Sequence, residues 1–225
     1  MYPDGYTPPI LTADVVILQL IDNQLHVLLI ERANEPFKGV YALPGGYIAT
    51  GETTGDATTR IVKHKAGIDS KNLKLVEQLY TFDTVARDPR GHAVSVTYMG
   101  LGKDIVPEGS TTTQKPQFFP VTALPTTAYD HSDIVAYAHD RLKSKITYTN
   151  AIFALLDPFF TLSQLQTAYE AVLGQTIDKR NFRKKFLSLD LIHATEEYAR
   201  DGAHRPAQLY RFNSAKLETL SRSFD

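Results

Sequence analysis

The sequence predicts an α/β protein in two parts: a mixed β-sheet between helices, then a small helical domain with a β-hairpin. Apolar, β-branched segments recur between residues 13 and 121, interleaved with two helix-like segments. After residue 146, strand signals vanish until residue 191, and positive charge gathers in one short segment. We therefore expect one domain over residues 1–146 and a second over residues 147–225.

Composition restricts the class of protein. The chain has 225 residues, of which 43% are hydrophobic, enough to bury real cores. Lys and Arg number 24 against 25 Asp and Glu, so any nucleic-acid surface must be a local patch. The absence of cysteine excludes disulfides and thiolate metal sites. Since the N-terminus is no signal peptide and no apolar run approaches the roughly 20 residues that cross a bilayer, we expect a cytoplasmic protein without a membrane partner.

The first domain opens with a predicted β-hairpin. Residues 13–20 (ADVVILQL) and 24–31 (QLHVLLIE) are apolar and β-branched, and Asp22-Asn23 between them favours a turn. A short strand is expected near residues 40–43. The following Pro44-Gly45-Gly46 predicts a tight turn, because glycine adopts positive φ without a steric penalty.

A helix follows, with signals at both of its ends. Thr53 is the predicted N-cap, Asp56 completes a variant of the capping box, and Gly67 is the predicted stop. The helix is therefore expected over residues 54–66. Apolar periodicity predicts the rest of the domain as strands at residues 73–81, 93–101 and 118–121 and a helix at residues 133–145.

The most specific motif lies at residues 43–68 (LPGGYIATGETTGDATTRIVKHKAGI). Gly46 is followed after five residues by Glu52, and seven residues then precede Arg60. This spacing resembles the Nudix box, here residues 46–68, the loop–helix–loop of enzymes that hydrolyse nucleoside diphosphates linked to another group. The resemblance implies a Nudix α/β/α sandwich, in which Glu52 and Arg60 form a structural pair that braces the loop against the helix.

The resemblance fails at the metal-binding positions. Active family members have glutamates where this chain has Ile61, His64 and Lys65. On a helix these positions share a face, where carboxylates would bind Mg²⁺ or Mn²⁺. We therefore expect no metal, no cofactor and no catalytic residue. Instead Lys65, with His64 when protonated, is expected to pair directly with phosphates. The alternative is an ordinary solvated helix face.

A second motif, RDPRGHAVS, begins at residue 87. Asp88-Pro89 and Gly91 predict a turn between two arginines, which would form forked hydrogen bonds to phosphate or ribose beside a nucleotide pocket. A generic hairpin turn is the alternative. Phe82, just upstream, would stack on a base or belong to the core. The predicted effector-binding residues are Arg32, Gly46, Arg60, Lys65, Phe82, Arg87 and Arg90.

The second domain has the pattern of a helix-turn-helix. Thr161 is the predicted N-cap of a helix that ends at Gly174, and Asp178 begins a second helix that buries Phe182 and Phe186. Two helices joined by a short turn that contains glycine fit that motif. The other elements are predicted as a first helix at residues 150–156, wing strands at 191–195 and 207–212, and a closing helix at 214–221.

The second helix of this motif carries most of the positive charge. A basic helix alone is commonly a solvated face, but its combination with a wing that has its own arginines favours DNA binding. The helix would enter the major groove, and the wing would hold phosphates or the minor groove. The predicted DNA-binding residues are Lys179, Arg180, Asn181, Arg183, Lys184 and Lys185 on the helix and Arg200, His204 and Arg205 in the wing.

Together, the eroded box, the RDPRG loop and the basic winged helix resemble the Nudix-related transcriptional regulators of NAD metabolism, the NrtR family. The resemblance covers almost the whole chain. It implies a homodimeric bacterial repressor of NAD-biosynthesis or salvage genes that binds double-stranded operator DNA and is released by ADP-ribose.

Three alternatives remain open at the sequence level. Regulators of the same architecture respond to sugars. An active ADP-ribose pyrophosphatase would recruit Glu52, Asp56 or a carboxylate outside the box for its metal. A winged helix also serves in some proteins as a protein-docking module.

Overall fold

The computed structural model describes residues 5–108, 116–199 and 206–220. Within these ranges the first domain contains seven strands: β1 (Ile10–Ile21), β2 (Gln24–Glu31), β3 (Tyr41–Ala42), β4 (Gly45–Tyr47), β5 (Leu75–Phe82), β6 (Ala93–Leu101) and β7 (Gln117–Pro120). They form one mixed sheet in the order β3-β2-β1-β6-β5, with β4 paired to β1 and β7 paired to β2. Strands β1 and β6 run parallel, and the other pairs are antiparallel.

Two helices cover the two faces of this sheet, α1 (Thr54–Ala66) and α2 (His131–Tyr148). Alternate residues of a strand point to opposite faces. Val15 and Ile17 of β1 accordingly pack into the cluster that contains α1, whereas Val16 and Leu18 pack into the cluster that contains α2. The expected α/β/α sandwich is therefore confirmed, with the long strand β1 at its centre.

The local signals around α1 act as predicted. The Thr53 hydroxyl accepts a hydrogen bond from the Asp56 backbone N–H, and the Asp56 carboxylate accepts one from the Thr53 backbone N–H, which completes the capping box. Gly67 ends the helix in the left-handed conformation, at φ 63°. The first hairpin also turns at Asp22 and Asn23, both at positive φ.

The prediction of a tight positive-φ turn at Gly45 and Gly46 is wrong. Both residues belong to β4, which pairs with β1, and neither has positive φ. Glycine is required at position 45 for close approach, because a Cβ there would collide with the Asp14 carboxylate. A Cβ at position 46 would lie 3.6 Å from Ile61 of α1. Gly45 therefore allows the close approach of β4 to β1, whereas a Cβ at position 46 would make only an ordinary van der Waals contact with α1.

The second domain consists of a short 3-10 helix (Ala151–Leu155), α3 (Leu162–Leu173), α4 (Lys179–Leu187) and a hairpin of β8 (Ile192–Ala199) and β9 (Ala207–Phe212). The caps Thr161 and Asp178 act as predicted, since each side chain accepts a backbone N–H of the helix that it starts. The aromatic rings of Phe182 and Phe186 pack against Tyr169 of α3.

The prediction of a closing helix over residues 214–221 is wrong for its described part, residues 214–220, which is irregular. The side chain of Asn150 explains this. Its amide donates to the Lys216 carbonyl and accepts from the Glu218 N–H, so backbone groups that a helix would need are bonded elsewhere. The expected helix at 150–156 is the short 3-10 helix, and α2 is longer than its predicted range of 133–145.

The two domains share an apolar core. One cluster extends from β1 and β2 through α2 to the aromatic residues of α3 and α4. Polar contacts cross the same boundary. The His139 Nε2 atom of α2 donates to the Val172 carbonyl of α3 at 2.8 Å, and the Tyr169 hydroxyl donates to the Ile146 carbonyl at 3.3 Å. Helix α2 therefore packs against the sheet and the helix-turn-helix at once.

None of the helices within the described ranges has the length and apolar character needed to cross a membrane.

Candidate ligand pocket and nucleic-acid interface

A cavity of about 410 Å³ opens where β1, β4, α1 and the N-terminus of α2 meet. Six of the seven predicted effector-binding residues line it: Arg32, Gly46, Arg60, Lys65, Arg87 and Arg90. Asp14, Glu35 and Asp88 are the acidic residues of the lining. The fold thus brings five cationic side chains from three separate segments to one pocket, an arrangement suited to an anionic ligand.

Phe82 is the exception, because it does not line the cavity. Its ring packs edge-to-face against Tyr80 and Tyr137, at centroid distances of 5.4 and 5.6 Å, and contacts the core beneath α2. The prediction that Phe82 stacks on a base does not fit this position. Its place at the end of edge strand β5, against α2, gives it the structural role that the sequence left as the alternative.

Glu52 and Arg60 form the expected brace. The guanidinium donates to both Glu52 carboxylate oxygens at 2.7 Å and to the Tyr47 carbonyl at 2.9 Å. The hydrogen bond from Arg60, assisted by the Ala49 backbone N–H, lowers the pKa of Glu52 to about 2. The pair therefore fixes the loop before α1 against the helix and β4, and the carboxylate is ionised at neutral pH.

Arg87 has a different position from the one that its motif suggests. Its buried guanidinium donates to both carboxylate oxygens of Asp130, at 2.9 and 2.7 Å, and lies 3.6 Å from Asp14. Asp130 is the residue immediately before α2. Arg87 thus connects the RDPRG turn to the start of α2 through two hydrogen bonds to Asp130.

His131 completes this buried network behind the pocket. Its Nδ1 atom accepts the Leu43 backbone N–H at 2.9 Å, and its Nε2 atom lies 3.7 Å from Asp14. Burial lowers the pKa of His131, and the Asp14 charge only partly opposes that effect. The imidazole is therefore neutral near pH 7, with its proton on Nε2 because Nδ1 is an acceptor. The Asp14 carboxylate also accepts the buried Ser95 hydroxyl at 2.6 Å.

The pocket rim combines aromatic rings with guanidinium groups. Arg90 forms a forked pair with Asp88, and it donates to the Tyr47 hydroxyl at 3.0 Å. The Cζ atoms of Arg32 and Arg90 lie 4.9 and 5.9 Å from the centre of the Tyr129 ring. Sequence patterns gave no signal for Tyr129.

The face of α1 that would hold a metal in an active Nudix enzyme does not fit one here. Ile61 is buried against Gly46, His64 is exposed, and Lys65 lines the cavity. Across the described residues there is no group of three His, Cys, Asp or Glu side chains with metal-binding geometry. Glu52, the carboxylate that the box retains, is already bonded twice by Arg60.

Helix α4 presents the predicted basic surface. Its residues Lys179, Arg180, Asn181 and Lys184 are exposed, whereas Arg183 and Lys185 are half-buried. Arg183 donates to the Ser163 hydroxyl at the start of α3, at 3.1 Å. Arg200, His204 and Arg205 lie outside the described residues.

Comparisons with known proteins agree with both halves of this architecture. Residues 11–138 match the family model of the NUDIX domain, and residues 152–212 match that of the NrtR DNA-binding winged helix domain. The ADPR responsive transcriptional repressor NtrR of Acinetobacter baylyi is 34% identical over 212 residues, which cover 92% of this chain and 83% of the relative. The chain belongs to the NrtR family.

Two further relatives bear on the two domains of this NrtR-family chain. The crystal structure of Shewanella oneidensis NrtR complexed with a 27mer DNA superposes with a TM-score of 0.79 at 30% identity, covering 96% of this chain and 99% of that one. The NUDIX domain of the same protein, in a structure complexed with ADP ribose, gives a TM-score of 0.53 at 30% identity, covering 63% and 94%. An ADP-ribose pyrophosphatase of Methanocaldococcus jannaschii is 35% identical over 123 residues, 54% of this chain and 70% of that one.

The lowered pKa of Glu52 predicts a pH-dependent contribution to stability. A carboxyl whose pKa falls on folding stabilises the native state above its unfolded value of 4.5, and that contribution is lost as pH falls towards 2. Glu52→Gln should therefore lower the melting temperature at pH 7, and its difference from the unaltered chain should shrink between pH 4.5 and 2. Calorimetric unfolding across this range tests the prediction, with Arg60→Gln expected to give the same profile. A difference that is constant with pH would contradict it.

Proposed function

We propose that this chain is a transcriptional repressor whose winged helix binds operator DNA and whose Nudix domain binds ADP-ribose as the releasing effector. The effector domain would comprise residues 1–146 and the DNA-binding domain residues 147–225. The observation that carries the proposal is a cationic pocket joined by one continuous core to an exposed basic helix. The effector and DNA complexes of Shewanella oneidensis NrtR support the same pairing of functions.

The chemistry of the pocket favours a nucleoside diphosphate derivative. Arg32, Arg60, Lys65 and Arg90 would donate charge-assisted hydrogen bonds to the diphosphate, whereas Arg87 holds the wall behind them. In this arrangement Lys65 occupies a position where an active enzyme has a metal-ligating glutamate. The side chains of Ile61, His64 and Lys65 do not fit the metal ion that hydrolysis in the family requires.

Helix α2 would carry the signal between the two sites. Its N-terminus is bound to the pocket wall through Asp130 and His131, and its middle and C-terminal parts contact α3 through His139 and Ile146. A ligand that changes the position of the wall would therefore change the orientation of the helix-turn-helix. The effect requires that ADP-ribose bind the two orientations with different affinity.

Operator binding would use a homodimer in the bacterial cytoplasm. In a helix-turn-helix dimer the two recognition helices meet half-sites roughly one DNA turn, or 34–36 Å, apart. Effector binding would favour a geometry in which the two α4 helices no longer match that spacing. By the family resemblance, the controlled genes would be those of NAD biosynthesis or salvage.

The decisive experiment is a gel shift on DNA from upstream of the protein's own gene, with ADP-ribose titrated into the complex. Retardation that ADP-ribose reverses, and that ribose or AMP at the same concentration does not, is the expected result. Release by a free sugar would instead identify a sugar-responsive regulator. A shifted probe whose retardation survives charge reversal of Arg180 and Lys184 would favour a protein-docking role for the winged helix.

A second candidate function is ADP-ribose hydrolysis, which the identity to the Methanocaldococcus jannaschii pyrophosphatase favours. The two functions differ in one observable, the release of AMP from ADP-ribose with Mg²⁺ or Mn²⁺. A repressor with this α1 should bind ADP-ribose and leave it intact. Turnover comparable with that of an active Nudix enzyme would establish the hydrolase instead.

The role of Lys65 gives the sharpest prediction for the pocket. Lys65→Glu should weaken ADP-ribose binding roughly 10- to 100-fold, because it replaces a charge-assisted contact by repulsion of the diphosphate. Lys63→Glu is the matched control, since Lys63 is exposed on the same helix and does not line the cavity. Titration calorimetry measures both variants, and equal affinities for the two would contradict the assignment.

The exposed face of α4 predicts a salt-dependent contribution from Lys184. Each phosphate contact adds about 0.9 to the slope of log affinity against log salt concentration. Lys184→Ala should therefore weaken operator binding and reduce that slope by about 1. Lys143→Ala, which removes an equally charged side chain from the surface of α2, should leave the slope unchanged. Fluorescence anisotropy at several salt concentrations distinguishes the two variants.

A further inference from the structure

Tyr129 has a backbone conformation that its residue type disfavours. Its φ is 56°, in the left-handed region that glycine and asparagine adopt more readily than an aromatic residue. It lies in the loop just before α2 and lines the cavity. Such outliers persist where the surrounding structure imposes them, and they cluster at ligand sites. The tyrosine side chain must therefore make a contact that glycine or asparagine at this position would not make.

The hydroxyl group does not account for this placement. The Tyr129 hydroxyl oxygen is buried and has no hydrogen-bond partner within the described part of the chain. A buried tyrosine normally satisfies its hydroxyl. The contacts that Tyr129 makes with charged groups of the pocket are made by its ring.

The ring is the contact shared by two arginines of the pocket. Arg32 is otherwise held by carbonyl groups of its own loop, Pro36 at 2.8 Å and Asn34 at 3.5 Å. Arg90 is held by Asp88, two residues away, and by Tyr47. Apart from Tyr129, the contacts of Arg32 are thus local. Among these groups, only the Tyr129 ring contacts both guanidinium groups: the Cζ atom of Arg32 lies 4.9 Å from the ring centroid, and that of Arg90 lies 5.9 Å from it.

We propose that Tyr129 is a positioning residue of the effector pocket, whose ring fixes the spacing of the Arg32 and Arg90 guanidinium groups for a diphosphate. The inference rests on the proposed function, because the diphosphate is that of ADP-ribose. Cation–π attraction holds a guanidinium near an aromatic face and leaves its N–H groups available for forked hydrogen bonds. The arginines then reach the ligand with less conformational entropy to lose.

The test compares variants at position 129 by titration calorimetry with ADP-ribose. Tyr129→Phe keeps the ring, so its affinity should stay within about twofold of the unaltered chain, and loss of the unpaired hydroxyl should not lower the melting temperature. Tyr129→Leu should bind roughly tenfold more weakly. Tyr80→Leu is the control, because it removes a ring that packs against Phe82 and Tyr137, outside the cavity lining.

A double-mutant cycle with Arg32→Ala separates positioning from general damage to the fold. If Tyr129 acts through Arg32, the double variant should lose clearly less affinity than the sum of the two single losses. Thermal unfolding and operator binding without ADP-ribose report on folding. If Tyr129→Leu does not fold, Tyr129→Met, of similar size and without a π face, takes its place in the cycle.

The experiments distinguish a failure of the proposed function from a failure of the positioning role of Tyr129. If the unaltered chain does not bind ADP-ribose, the proposed function fails and this inference fails with it. If the unaltered chain binds and the cycle is additive, only the positioning role is overturned. A Tyr129→Phe variant as weak as Tyr129→Leu would also overturn it, because the hydroxyl would then be the group that matters.

Discussion

The ion pair between the buried Arg87 guanidinium and the partly buried Asp130 carboxylate is the interaction on which the rest of the structure depends. It joins the turn beside the pocket to the residue that precedes α2, and Asp14 lies beside the same guanidinium. Removing one member of such a pair leaves an uncompensated charge, which typically costs about 3–5 kcal/mol. Because both ionic partners are needed, the wall of the pocket and the beginning of α2 are held in one fixed relation.

This fixed position of the pocket wall relative to α2 helps to explain which parts of the Nudix box are retained and which are replaced. The Glu52–Arg60 brace keeps the loop and α1 in place, while Ile61 fills the space beneath Gly46 and Lys65 faces the cavity. The retained parts maintain a pocket, and the replaced parts suit direct contact with an anion. A binding site and the start of a helix that packs against the helix-turn-helix therefore share the same few buried groups.

Local signals in the sequence were sufficient for much of this architecture. The caps of α1 and α3 and the basic face of α4 follow from neighbouring residues. The Nudix box and the RDPRG motif together contain five of the six predicted residues that line the pocket. Asp14, Asp130 and His131 carry no such signal, because their partners lie 43 to 88 residues away. Gly45 was assigned a turn because its real constraint, the Asp14 carboxylate, is visible only in three dimensions. The prediction of a closing helix failed for a similar reason, since Asn150, 66 residues away in sequence, donates a hydrogen bond to the Lys216 carbonyl of that segment.

Linkage between the two sites is the central claim, and reciprocal binding measures it most directly. If ADP-ribose and operator DNA favour different geometries of one body, ADP-ribose must lower operator affinity by the same factor by which operator lowers ADP-ribose affinity. Operator affinity is measured with and without ADP-ribose, and ADP-ribose affinity is measured with and without operator DNA. The account predicts that both affinities fall by the same factor, roughly 5- to 150-fold. Tight ADP-ribose binding that leaves operator affinity unchanged would contradict it.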